Sequence, residues 1–95
     1  MSYQFRILGC GSSGGVPRVG FGWGNCDPMN KKNRRLRCSL LVERTTSSKK
    51  TTVLIDTGPD MREQLLEAKV TNLDAVLYTH SHADHVHGID DLRTL

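Results

Sequence analysis

The six residues His80-Ser81-His82-Ala83-Asp84-His85 constrain this chain more than any other stretch of it. Three imidazoles and one carboxylate follow directly on a short apolar run, Ala75-Val76-Leu77-Tyr78, so coordinating groups stand at the end of a buried strand. Neutral imidazole nitrogen and carboxylate oxygen are the ligands that Zn²⁺, Mn²⁺ and Fe²⁺ accept. In extended backbone His80 and His82 point to the same side, because side chains alternate with period two. Asp84 and His85 follow where the chain turns into a helix, and aim beside that pair. One cluster can thus serve two neighbouring metal ions. A solvated histidine-rich turn, or a single satisfied core histidine, would not need this order of ligands.

With 95 residues, 37% of them apolar, the chain permits one small domain with a modest core. Its longest apolar runs, Leu40-Leu41-Val42 and Ala75 to Tyr78, are far too short to cross a bilayer. Met1 to Arg6 holds no apolar signal core. Three cysteines, Cys10, Cys26 and Cys38, make an odd number without framework spacing, which fits reduced thiols and a cytoplasmic setting. The net charge of +3 is mild, but its distribution is not even: Lys31, Lys32, Arg34, Arg35 and Arg37 put five cations into seven residues. Such a run is either a solvated loop or an attractor for a nucleotide, a sugar phosphate or an RNA backbone. No aromatic interleaves it, so a stacking platform for single strands is not written there. Phe21 and Trp23, nearby in sequence, either stack a base or anchor the loop.

Tyr3, Phe5 and Ile7 alternate with Gln4 and Arg6, the pattern of a half-buried strand. Cys38 to Glu43 and Thr52 to Ile55 predict two further strands around a polar hairpin loop, Arg44 to Thr51, and Ala75 to Tyr78 a fourth. After Pro59, Asp60 and Glu63 have the spacing of a capping box. Met61, Leu65 and Ala68, with Leu66 beside them, predict an apolar helical stripe on the sheet. A last helix is expected from about Asp84, with Ile89 and Leu92 on its buried side. The order β-β-β-α-β-α, without repeat or linker, predicts a layered α/β sheet. Gly9-Cys10-Gly11-Ser12-Ser13-Gly14 is a literal G-x-G-x-x-G, yet Gly15 and Pro17 follow where a helix is needed. Arg34-Arg35 stand where a dinucleotide site needs an acid. The loop is therefore either a backbone cradle for phosphate or a plain turn.

His80-x-His82-x-Asp84-His85 resembles the signature of the metallo-β-lactamase superfamily of binuclear hydrolases. Leu54-Ile55-Asp56-Thr57-Gly58 resembles that family's second strand-end motif. Leu8 to Pro17, Asn25 to Pro28 and His87 to Arg93 resemble a narrower branch. That branch holds the phosphoribosyl cyclic phosphodiesterase of phosphonate breakdown and, more distantly, the tRNA 3′-processing endonucleases. The resemblance implies an α/β fold, the metallo-β-lactamase-like αββα sandwich, of which residues 1–95 supply the N-terminal half of a single domain. One sheet face and its edge would then stay uncovered.

The resemblance also implies two divalent transition-metal ions, Zn²⁺ or Mn²⁺. His80 and His82 would hold one, and Asp84 and His85 the other. Asp84 would orient a metal-bridged hydroxide as the catalytic carboxylate, and Asp56 would brace the ligand loop from behind. Gly11, Ser12 and Ser13 border the cleft in the family, and with Arg34 and Arg35 they are the candidate substrate contacts. Several relatives hold a structural zinc with clustered cysteines, but only Cys26 stands at that place here, so that zinc is not carried over. His87 reads as a supporting or surface residue. The family completes its site with later histidines and an aspartate, so the chain alone is expected to be an inactive fragment that binds metal weakly. The implied function is a metal-dependent phosphodiesterase acting on a small nucleotide or cyclic sugar phosphate. The alternatives are an RNA 3′-end processing nuclease or a non-catalytic metal-binding module. No membrane partner is expected.

Overall fold

Four strands, β1 (Ser2–Gly9), β2 (Ser39–Thr45), β3 (Lys50–Ile55) and β4 (Ala75–Leu77), make one sheet in that order in the computed structural model, which describes residues 1–95. β1–β2 and β2–β3 are antiparallel, and β3–β4 is parallel. The parallel pair needs a crossover, supplied by helix α1 (Met61–Glu67). The β2–β3 hairpin runs further than its composition predicts. Pairing continues through Arg44↔Thr51 and Thr45↔Lys50, and Lys50 Nζ meets Glu43 Oε2 at 2.6 Å. The turn then closes where the Thr46 N–H donates to Lys49 O at 2.8 Å.

Only one face of the sheet is covered. Leu41 and Leu54 point toward Met61 and Leu65 of α1, and these four are the fully buried apolar core. Leu8, Val76 and Leu92 pack at its margin. The other face carries two apolar rows across the strands. One is Phe5, Val42, Val53 and Ala75, and the next is Ile7, Leu40, Ile55 and Leu77. Nothing lies over them, and Phe5 and Ile7 are 66% and 71% exposed. β1 is therefore not half-buried, as its alternation predicts. Its apolar residues face the open side, and α1 sits over β2 and β3, so only Leu8 of β1 reaches the core.

The start of α1 also departs from the sequence reading. Asp60 is at the N-cap position but makes no side-chain cap hydrogen bond. Its carboxylate is turned to Arg37, whose Nε and Nη2 donate at 2.7 and 3.0 Å and whose backbone N–H donates at 2.9 Å. A fork of charge-assisted bonds on a half-buried carboxylate outcompetes one bond to a helix-end amide. Gln64 reinforces the same link, its Nε2 donating to Arg37 O at 2.9 Å, and so takes an inward place on the helix. Leu66 is left 59% exposed. The expected last helix is broken at His87-Gly88 into α2 (Ala83–Val86) and a 3₁₀ segment, Ile89–Thr94. The tighter segment has no broad apolar face, so Leu92 packs and Ile89 stays exposed. No helix is long and apolar enough to cross a membrane.

Asp60→Ala should therefore lower the urea midpoint by an amount equivalent to about 2–3 kcal/mol, because Arg37 keeps its charge and loses its partner. The double variant with Arg37→Ala should cost less than the sum of the single losses. Simple additivity in that cycle would contradict the pairing.

Candidate metal centre

Because β2 runs opposite to both β1 and β3, and β4 runs with β3, the ends of β1, β3 and β4 share one rim of the sheet. Asp56 leaves that rim after β3, and Thr79 to His85 leave it after β4. Asp56 is the pivot. It is 3% exposed and adopts φ +69°, a left-handed conformation that aspartate tolerates better than most residues. Its N–H donates to Leu77 O at 2.9 Å, and its own carbonyl accepts from Ser39 Oγ at 3.0 Å. The backbone twist aims the carboxylate back across the end of β4.

Three donors converge on that carboxylate. The Thr79 N–H donates to Oδ1 at 2.8 Å, Thr79 Oγ1 to Oδ2 at 2.7 Å, and His85 Nδ1 lies 2.6 Å from Oδ2. Burial by itself pushes the Asp56 carboxyl up. The Thr79 amide, the His85 side chain and the Thr79 hydroxyl outweigh it, so the group sits below its ordinary value of 3.8. An ionised Asp56 can only accept, which places a proton on His85 Nδ1 and directs Nε2 outward.

His85 Nε2 then faces Asp84 Oδ2 at 3.2 Å. With Nδ1 protonated, both atoms are acceptors, a pairing that a shared cation would favour. The His80 ring lies 4.1 Å from the His85 ring and 4.6 Å from that of His82, centroid to centroid. All four expected ligands are thus gathered in one place. His80 and His82 are exposed, while the Asp84 and His85 side chains are 18% and 15% exposed. The donor set suits a borderline divalent ion, but no three of these groups converge closely enough to cage one by themselves. The four side chains are neighbours without forming a closed site.

The histidine-bearing loop is stitched to the β3 end by groups around Thr57. The Thr57 N–H donates to His85 O at 2.9 Å, and the Gly88 N–H donates back to Thr57 O at 2.8 Å. Thr57 Oγ1 bonds the Tyr78 hydroxyl at 2.8 Å and Val86 O at 3.3 Å. Two glycines make this approach sterically feasible: a Cβ on Gly58 would lie 2.6 Å from Asp84 O, and one on Gly88 would run into the Gly58 carbonyl. Thr57 and Thr79 received no role from the sequence. Their only signal was position, since each is adjacent to a strand-end acid or histidine.

The remaining candidates are elsewhere on the rim. The Gly11 N–H is spent on Leu36 O at 2.7 Å, and Ser12 O accepts from the Gly15 N–H at 2.8 Å, closing a turn. No helix follows this loop. The free amides of a phosphate cradle are to that extent consumed, while Ser12 and Ser13 remain exposed. A cavity of about 350 Å³ at the rim is walled by Ile7, Ser39, Asp56, Thr79 and His85 but by neither Arg34 nor Arg35. Those two arginines line a separate groove. Arg37 is committed to Asp60. Phe21 is no buried anchor: it is 81% exposed, with the Arg18 guanidinium 5.4 Å from its ring centroid. Cys38 donates to Gly11 O at 3.3 Å, and Cys10 and Cys26 are exposed free thiols. His87 is exposed.

Residues 51–95 match the β-lactamase superfamily domain. Among solved structures, a diphosphatase from the PhnP family superposes with a TM-score of 0.84 at 42% identity, over 97% of this chain and 35% of its own. Zn²⁺-bound PqqB from Methylobacterium extorquens superposes with a TM-score of 0.63 at 23% identity, over 97% of this chain and 34% of its own, a likeness of fold. In sequence the chain is 48% identical over 89 residues to an octanoyltransferase of Porphyromonas gingivalis, covering 94% of this chain and 18% of that protein. The chain spans 18% to 35% of the length of these relatives.

Replacing Asp56 by asparagine should cost about 2–4 kcal/mol at neutral pH, because an amide cannot accept from all three donors. The depressed native pKa means that the Asp56 contribution is complete above its unfolded value near 3.8 and is lost as pH falls through the lower native value. Urea titrations across pH should therefore show the wild-type and Asp56→Asn proteins drawing together below that value; a gap independent of pH would contradict the ionised pivot. Gly88→Ala should destabilise by about 1–3 kcal/mol through forced separation of the two loops, read as a lower thermal midpoint than that of an exposed control such as Ser81→Ala.

Proposed function

The chain belongs to the metallo-β-lactamase superfamily, and on that premise we propose that it serves a metal-dependent hydrolase acting on a small phosphorylated substrate. The observation that carries the reading is the coupling of Asp56 to His85. A buried, ionised carboxylate fixes the imidazole tautomer and turns Nε2 toward Asp84, the arrangement by which a ligand is oriented and made more basic before metal arrives. His80, His82, Asp84 and His85 would hold two divalent ions, Zn²⁺ or Mn²⁺, with further ligands from the larger span that the relatives possess. A divalent ion bound there supplies Lewis acidity, lowering the pKa of water toward neutrality and offsetting charge on phosphate oxygens.

The chain's own residues carry the rest of the work. Asp56 accepts from His85 Nδ1 and so favours the tautomer whose Nε2 lone pair faces outward, while Thr79 fills further acceptor sites of the carboxylate. Asp84, beside His85 and 18% exposed, is the carboxylate placed to accept a proton from water at the rim. The substrate bond is a phosphodiester or a phosphoanhydride: the phosphodiester follows from the motif resemblance, and the diphosphatase relative at 42% identity supports the anhydride. The octanoyltransferase name belongs to a protein of which this chain matches 18%, so it sets a control rather than the reading.

Chelation should abolish hydrolysis by the full-length protein, and Zn²⁺ or Mn²⁺ should restore it. Asp56→Asn should weaken metal affinity about 10- to 100-fold. Residues 1–95 alone should bind Zn²⁺ weakly and turn over no diester, since their donors form no cage. A substrate panel would hold cyclic nucleotides, cyclic ribose phosphates, nucleoside diphosphate compounds, a tRNA precursor, an octanoyl thioester and a β-lactam. Preference for the thioester or the β-lactam by about a hundredfold, near 2.7 kcal/mol in transition-state binding, would overturn the substrate class.

A further inference from the structure

Thr79 makes one contact that bracing Asp56 does not require. Its Oγ1 donates to Asp56 Oδ2 at 2.7 Å and also lies 2.9 Å from Nδ1 of His80, the next residue. A hydroxyl carries a single proton and accepts through its lone pairs. With that proton spent on the carboxylate, Thr79 Oγ1 faces His80 as an acceptor. A hydrogen bond between them then needs the His80 proton on Nδ1, which leaves the lone pair on Nε2. Both Thr79 and His80 are exposed, so water competes for this bond. Donation to a charged group offsets that competition, because it makes the Thr79 oxygen a better acceptor. The same Oδ2 atom meets His85 Nδ1 at 2.6 Å, and the two imidazole rings lie 4.1 Å apart, centroid to centroid. His82 has no such tie: it is exposed and makes no side-chain cap bond at the start of α2.

We propose that Thr79 is a positioning residue that passes the influence of Asp56 on to His80, so that one buried carboxylate selects the tautomer of two imidazoles. The inference rests on the metal-dependent reading and deepens it. On the assignment above, His80 and His85 serve different ions, and each would present Nε2 to its own. The link to His85 is direct, and the link to His80 runs through one hydroxyl. His82 is the imidazole left to adjust. The Thr79 N–H on Asp56 Oδ1 is a backbone bond that any residue except proline supplies. Only the side chain carries the relay, so serine can replace threonine, whereas valine, of similar shape, can neither donate nor accept.

Imidazole nitrogen NMR of the metal-free protein, in alkaline buffer where imidazole is neutral, reports which nitrogen of each ring carries the proton. In the wild-type protein His80 and His85 should both carry it on Nδ1. Thr79→Val should release His80 to a mixture of tautomers and leave His85 as it was, with circular dichroism unchanged. Thr79→Ser should restore His80, and His82 should be the same in all three proteins. Competition with a chromophoric chelator should give a Zn²⁺ affinity about tenfold weaker in Thr79→Val and near the wild-type value in Thr79→Ser. Wild-type His80 with its proton on Nε2 overturns the proposal without any variant. So does a Thr79→Val protein in which His80 is unchanged, or in which His80 and His85 lose their preference together, since Thr79 would then be a general brace. The expected tautomers in a protein that hydrolyses no phosphate ester with Zn²⁺ or Mn²⁺ supplied would support the relay and count against the hydrolase reading.

Discussion

A buried carboxylate with three donors on it holds the histidine-bearing end of this molecule together. Asp56 is where the chain leaves β3, and a charge there has no favourable place in an apolar sheet end unless every lone pair is used. Thr79 and His85 use them, and both come from the loop after β4. The compensation of one charge therefore does three things at once. It closes the parallel edge of the sheet, sets the entry of the histidine segment and chooses the His85 tautomer. The left-handed backbone at Asp56 is the local cost of that aim, and it is tolerated because Ser39 and Leu77 fix the peptide groups on either side.

The sheet has a dry side and an open side, and the difference follows from which element has somewhere to lie. α1 is joined to β3 and β4 by short connections, so it falls across β2 and β3 and makes the small core. No segment of residues 1–95 returns to the opposite face, where two apolar rows remain exposed. The two solved structures are about three times as long and superpose on nearly all of this chain. A layer packed on this second face would bury Phe5, Ile7 and Leu77, at roughly 1.5–3 kcal/mol for each side chain fully covered.

Charge is divided in the same economical way. One arginine of the basic run is consumed in architecture, where Arg37 and Asp60 tie the segment before β2 to the start of α1. The cations before it are displayed beside β1, near the rim that the histidines occupy. Separation of the structural from the displayed charges depends on a single acid, Asp60, reaching back across 23 residues.

Local pattern was enough to read the strands, the hairpin, the crossover helix and the position of the histidine-bearing loop, because each is set by spacing within a few residues: alternation of period two, an apolar stripe, a run of donors after an apolar segment. Such pattern could not tell which side of β1 would be covered, since Tyr3, Phe5 and Ile7 alternate the same way whether or not a layer lies on them. It could not tell that Asp60 would prefer Arg37 to the helix end, nor that Thr79 would complete the shell of Asp56. Each of those outcomes is a competition between partners more than twenty residues apart in sequence, decided by distance and burial after the chain has folded. Sequence determined the chemistry available at the rim; tertiary structure decided which groups are spent holding the rim together and which remain free to meet a ligand.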